Sequence, residues 1–170
     1  MKPIARMLSG IALSLMSAST GLAATALFKD SILHITDGIV LSDGASSYYR
    51  DIQLVATPQG EFRVLEAKPR DLATVEEAAV TVSGDTPPRV EVQIKGYLPN
   101  PCVELEPVAV ARDGDQFHVL VAQNVLQTLV ACIQVIQPFE LNVPLDTAKL
   151  PNGRYTITVN DKYSLQFDLP

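Results

Sequence analysis

Apolar residues recur at every second position along most of this chain. Val90, Val92 and Ile94 alternate with Glu91, Gln93 and Lys95, and Phe117, Val119 and Val121 repeat the pattern, as do Phe139, Leu141 and Val143. Successive side chains of a strand point to opposite faces, so this spacing builds one apolar face. On a helix the same residues would scatter around the circumference. The expectation is an all-β chain.

Turn chemistry cuts the alternation into short pieces. Ile52, Leu54 and Ala56 lead into Pro58-Gln59-Gly60, and Phe62, Val64 and Leu65 return, which predicts a hairpin with a three-residue loop. Upstream, Ile32 to Ile35 and Ile39 to Leu41 read as two short strands around Asp37-Gly38. Asp43-Gly44 makes the next bend, and Tyr48-Tyr49 open the strand that follows. Val108 and Val110 run to Arg112-Asp113-Gly114-Asp115, where Asp-Gly predicts a type I′ hairpin. Leu129 to Ile136 reads as another strand. Tyr155 to Val159 and Leu165 to Leu169 flank Asn160-Asp161-Lys162, a last hairpin.

Between Pro69 and Pro88 the alternation weakens: Ala78 to Val82 reads as a strand or Leu72 to Ala79 as one or two helical turns, and Pro87-Pro88 cannot donate to a sheet ladder. The expected plan is therefore a small β-hairpin unit at 27–68, a linker at 69–87, and an antiparallel immunoglobulin-like β-sandwich at 88–170. Roughly seven short strands in the last segment fit that architecture. Leu150, Gly153 and Tyr155 precede the penultimate strand in the order of a tyrosine corner, whose hydroxyl turns back onto nearby backbone, with an ordinary strand Tyr as the alternative.

The first 26 residues have the order of an export signal. Lys2 and Arg6 are followed by the apolar run Met7 to Met16, and small residues lead to Ala24-Thr25-Ala26. Cleavage is expected after Ala26, with Ala23 as the alternative. The apolar run falls short of the roughly 20 residues that cross a bilayer. No Cys lies near the site for lipid attachment, and no later run has membrane length. The expected location is the periplasm or the exterior, with no membrane insertion once the signal is removed. Removal takes away two bases and no acid, leaving 11 − 19 = −8. An acidic chain gains nothing from counterion release, so nucleic acid is not an expected partner.

Cys102 and Cys132 are the two cysteines. In an oxidising compartment an isolated pair is most simply one disulfide; two buried thiols or a redox couple are the alternatives.

Candidate chemistry is sparse. His34 and His118 are 84 residues apart with no acidic or Cys neighbour at ligand spacing, and they read as strand histidines. No G-x-S-x-G elbow exists, and Ser42, Ser46 and Ser47 belong to a turn. Asp113-Gly114-Asp115 is too short of oxygen ligands for calcium. Glu104 and Glu106 read as solvated groups on one face of a strand. Phosphate-binding glycine loops are missing from the sequence. No catalytic residue, metal site or cofactor is expected. Val125 to Ile136, the most apolar part of the mature chain, reads as buried around the disulfide, with an exposed patch for a partner as the alternative.

Two segments are similar to recurring pieces of exported bacterial proteins. Residues 89–170 carry Gly96-Tyr97-Leu98-Pro99-Asn100-Pro101-Cys102, then Cys132, then Pro138-Phe139-Glu140 to Pro144-Leu145-Asp146, and Leu150-Pro151-Asn152-Gly153-Arg154-Tyr155. As a set these resemble a disulfide-stapled immunoglobulin-like β-sandwich module of secreted bacterial proteins. Residues 32–66 resemble a second piece, through Asp37-Gly38-Ile39-Val40 and Tyr49-Arg50-Asp51-Ile52-Gln53-Leu54. These resemblances imply a fold and a location, and no catalytic residue. The expected function is an exported, non-enzymatic binding or structural module of the bacterial envelope, with an unknown protein or envelope component as partner. The alternative is a secreted inhibitor of a hydrolase, with the loop Leu98, Pro99, Asn100 and Pro101 presented to its target.

Overall fold

The computed structural model describes residues 26–42, 44–84, 88–126 and 131–170. The segment read as an export signal lies outside the described residues except for Ala26. In chain order the strands are β1 (Ala26–Lys29), β2 (Ile32–Ser42), β3 (Ala45–Ala56), β4 (Phe62–Leu72), β5 (Thr74–Ser83), β6 (Arg89–Leu98) and β7 (Val103–Leu105). They continue with β8 (Ala109–Asp113), β9 (Gln116–Leu120), β10 (Ala122–Val125), β11 (Gln137–Leu145), β12 (Gly153–Val159) and β13 (Tyr163–Leu169). The chain is all-β, as its alternation requires.

The sandwich has a three-stranded sheet in the order β11-β6-β5 and a four-stranded sheet in the order β13-β12-β9-β8. Its core is the inward half of the alternating strands. Val90, Val92 and Ile94 meet Val119, Ile157 and Val159, all at most 1% exposed. Each such side chain contributes about 1.5–3 kcal/mol on burial. Phe117, Tyr155 and Phe167 close the core with ring centroids 5.4–6.1 Å apart. The Tyr155 hydroxyl donates to the Pro151 carbonyl at 2.8 Å, and Leu150 packs against the same core. The neighbouring strands are antiparallel except β9 and β12, which run parallel.

A second sheet of six strands, β1-β2-β3-β4-β10-β7, lies beside the sandwich. Here the structure corrects several expectations. The two strands read around Asp37-Gly38 are one, β2, because it pairs with β3 continuously in register. Residues 69–87 do not form a linker where described: 69–72 end β4 and 74–83 form β5. Pro69 is tolerated there because β10 pairs only with Asp71 and Leu72, so β4 has a single neighbour at Pro69. β5 then crosses into the sandwich and pairs with β6. The Asp-Gly turn has Gly114 at φ 61° and Asp115 outside the positive-φ set, the sign pattern of a type II′ turn. The type I′ signs occur instead at Asp30-Ser31, between β1 and β2, and at Asn160-Asp161. Residues 131–136 are not a strand.

Candidate binding surface on the N-terminal sheet

The inner face of the N-terminal sheet is fastened to the sandwich. Tyr48 of β3 is 1% exposed and packs with Ala109, Leu120 and Ala122, with Ile39 and Leu72 beside them. Burial and the negative charge of Asp37 raise the Tyr48 hydroxyl above its ordinary value, while Arg50 opposes them. Glu106 accepts from Arg50 Nη1 at 2.6 Å and from Arg70 Nε at 2.8 Å. Its side chain is 11% exposed, so this carboxylate is not the solvated group its sequence position implied. It joins β3 and β4 to the segment after β7.

A second set of contacts comes from the final hairpin turn. Asn160 Oδ1 accepts from the Val121 amide at 2.7 Å, while its Nδ2 donates to the Ala73 carbonyl at 2.9 Å. Lys162 Nζ donates to the Val75 carbonyl at 3.0 Å. The final hairpin turn therefore grips the crossover from β4 to β5. Its positive φ at Asn160, 47°, is one that Asn tolerates better than most L-residues.

Beside this turn is a polar cleft of about 310 Å³, lined among others by Ser42, Asp113, Gln116, His118, Thr158 and Asp161. Ser46 Oγ donates to Asp161 Oδ1 at 2.7 Å, and His118 Nδ1 lies 3.5 Å from Ser46 Oγ and 3.2 Å from Thr158 Oγ1. Sequence separations of 72 and 115 residues hid this grouping. In a hydrolytic triad the carboxylate orients the imidazole and the imidazole takes the serine proton. Here the carboxylate holds the serine directly, so the three groups are in another order. His34 lies apart from them on β2, opposite Leu27 and Gln53. Among the described residues no three His, Cys, Asp or Glu side chains gather for a metal.

The outer face of the same sheet has a different chemistry. A groove of about 450 Å³ is lined by Ile35, Gly38, Val40, Tyr49, Ile52, Leu54 and their neighbours Ile39, Val64 and Ala67. None of these side chains is charged. Ile35 and Gly38, Tyr49 and Ile52, and Val64 and Ala67 are each three apart, so the period of two breaks at one level in all three strands. Asp51, at φ 51°, and the register shift opposite it mark that kink. A Cβ added to Gly38 would lie 2.9 Å from Ile52 Cδ1, so the groove floor is closed at this point. Further out the apolar row continues as Phe28, Leu33, Leu54 and Val64, which are cross-strand partners in sequence. Phe28 is 58% exposed, Val40 49% and Val64 61%. Charged groups occupy the opposite face and the kink: Lys68 pairs with Asp51 at 2.9 Å, and its hydrogen bond lowers the Asp51 carboxyl below its ordinary value.

Residues 92–169 match the ORF11 β-sandwich domain. A relative from Herpetosiphon aurantiacus, described as an uncharacterized 10.2 kDa protein in the HgiCIIM 5′ region, is 31% identical over 87 residues. Those residues are 51% of this chain and 90% of the relative. The chain belongs to the ORF11 β-sandwich family. No solved structure matches it. The ORF11 match begins within β6, so strands β1 to β5, with the outer groove, lie before it.

In the ORF11 sandwich the remaining sequence-predicted residues are placed as follows. Cys102 and Cys132 form a disulfide with Cα atoms 6.0 Å apart. In the loop Leu98 to Pro101, Leu98 is 7% exposed and belongs to the core, so it is not a contact residue. Pro99 and Pro101 are exposed, and Asn100 Oδ1 accepts from the Cys102 amide at 3.0 Å. The segment Val125 to Ile136 is not buried where it is described: Ile133, Val135 and Ile136 are 50–66% exposed. Val125 ends β10, and the disulfide pins residues 131–136, which belong to no strand, near the start of β7. Residues 127–130 lie outside the described residues.

Proposed function

We propose that this chain is an exported, non-enzymatic binding module of the bacterial envelope, in which the ORF11 sandwich is a rigid mount and the N-terminal sheet presents its outer face to another protein. The observation that carries this reading is the uncharged, exposed groove from Ile35 to Ala67. Monomeric soluble proteins rarely leave a contiguous apolar surface of this kind open, and such surfaces mark contact sites. The contacts of Tyr48 and Asn160 hold the sheet against the sandwich, which lowers the ordering cost of binding. The disulfide and the charged-apolar-small order of residues 1–26 support an oxidising, extracytoplasmic location. No helix among the described residues is long and apolar enough to cross a membrane.

The test is fractionation of the native host, followed by mass spectrometry of the intact protein and photocrosslinking from residue 64. The expected result is an extracytoplasmic chain beginning at Leu27 or Ala24, with Cys102 oxidised and a crosslinked protein. A chain retaining Met1 in the cytoplasm with free thiols, or one crosslinked to nothing, would refute it. A hydrolase inhibitor is the second reading, supported by the pinned turn at Pro99, Asn100 and Pro101. Uniform inactivity against a protease and lysozyme panel removes it.

A further inference from the structure

The proposed function chooses a surface, and the chemistry of that surface narrows what covers it. We infer that the outer face of the N-terminal sheet is a self-association face, covered by the same face of a second copy of this chain packed sheet on sheet. The inference rests on the preceding reading for its choice of surface.

Three observations carry it. The first is charge. The whole chain has a net charge of −6. Two such molecules approach at least cost where each presents no charge, and the groove residues are all uncharged. A contact between identical patches sets every group near its own copy, so a charged patch would oppose itself. This one has no charge to oppose. Arg63, Glu66 and Lys68 belong to the same strand, β4. Lys68 and Gln53, the partner of Glu66, line the groove on the opposite face with His34.

The second is area. β2 and β3 have 11 and 12 residues. β1 and β4 add 4 and 11, so at roughly 3.3 Å per residue and about 4.8 Å between strands the face covers on the order of 600 Å². Two copies would bury about 1,200 Å², at the lower edge of the roughly 1,200–2,000 Å² of stable protein interfaces. Homodimer interfaces are also the more apolar class.

The third is access. Tyr48 packs the inner face against Ala109 and Leu120 of the sandwich, leaving the outer face directed away from it. A second copy can stack there in the order sandwich, sheet, sheet, sandwich without its own sandwich intervening.

The test is sedimentation velocity on the mature, disulfide-bonded protein across a concentration series in the micromolar range, with Val64→Lys as the main variant. Val64 is 61% exposed, so lysine is tolerated by the isolated chain, and circular dichroism verifies its fold. The native protein is expected to reach twice the chain mass. Val64→Lys is expected to weaken that association on the order of a hundredfold, because two unpaired ammonium groups lose hydration in an apolar contact. Val110→Lys, on β8 of the sandwich, is expected to leave the association unchanged. A native protein that stays monomeric, or a dimer indifferent to Val64→Lys, overturns the inference. If the protein is monomeric while residue 64 crosslinks to a different envelope protein, the second copy is wrong and the binding surface is right. If neither occurs, both fail.

Discussion

Gly96 lies where three strands come closest, and adding a single methyl group there tests the packing of the sandwich. Gly96 is on the inward face of β6, opposite Val75 of β5 and Phe139 of β11. A Cβ built on it overlaps the Thr74 carbonyl oxygen and lies 2.6 Å from Phe139 Cζ. The Phe139 ring can swing aside, but Thr74 is backbone, held at the start of β5 beside the bulge between Val75 and Glu77. Gly96→Ala therefore forces β5 away from β6. Overpacking of a filled interior costs about 1–3 kcal/mol, and a displaced backbone places this case at the upper end, about 3 kcal/mol. For a chain of this size each kcal/mol lowers the midpoint by about 2–4 °C, so Gly96→Ala should melt about 6–12 °C below the native protein. The assay is differential scanning calorimetry with the disulfide intact. Gly153→Ala is the control: no atom approaches its added Cβ within 4 Å and its φ is not positive, so its melting point should match the native one. A Gly96→Ala protein melting within about 2 °C of native would refute the packing argument.

Glu106→Gln removes the carboxylate shared by Arg50 and Arg70 and leaves two facing cations. Charge-assisted hydrogen bonds contribute about 1.5–3 kcal/mol each, and partial water access reduces the total here to about 2–3 kcal/mol. Hydrogen exchange should quicken in β3 and β4 and stay unchanged in β12 and β13; uniform change across both sheets would contradict the strut assignment. Because burial and then Asp37 raise the Tyr48 hydroxyl, the unfolded chain loses that proton first as pH rises. The Tyr48 contribution is complete below pH 10 and is lost as pH climbs from there through the folded-state value, with a limiting slope of about 1.4 kcal/mol per unit. Urea midpoints measured from pH 8 upward should fall less steeply in Tyr48→Phe; parallel curves would contradict the assignment. Replacing both Cys102 and Cys132 by Ser opens a loop of 30 residues, and chain entropy puts the cost at about 3–4 kcal/mol. An unchanged denaturant midpoint would show that the staple does not restrict the unfolded chain.

Much of the sandwich was readable from residue order alone, because its determinants are local. Val90, Val92 and Ile94 alternate wherever the chain goes, and burial selects the apolar side of such a strand. The corner from Leu150 to Tyr155 closes within a few residues, so its hydrogen bond needs no distant partner. Pro58-Gln59-Gly60 is similar: Thr57 bonds across to Glu61, and Gly60 takes the positive φ that the loop requires.

Pairing between distant strands was decided only in three dimensions. Alternation states that a segment is a strand and which of its sides is apolar, and it does not state which strand donates to which. The weak pattern of residues 74–83 therefore showed only Ala78 to Val82 as a candidate strand and hid the extent of β5, an edge strand of the sandwich. β7 and β10, three and four residues long, joined the other sheet beyond β4, with β10 inside it and β7 at its edge. Glu106 acquired its partners from strands 36 and 56 residues away, Ser46 found Asp161 across 115, and the uncharged outer face formed only once three kinks came level. Local order thus determined that strands form and what they bury. Sheet membership and the exposed face depended on long-range hydrogen bonds and ion pairs, which no short window of residues contains.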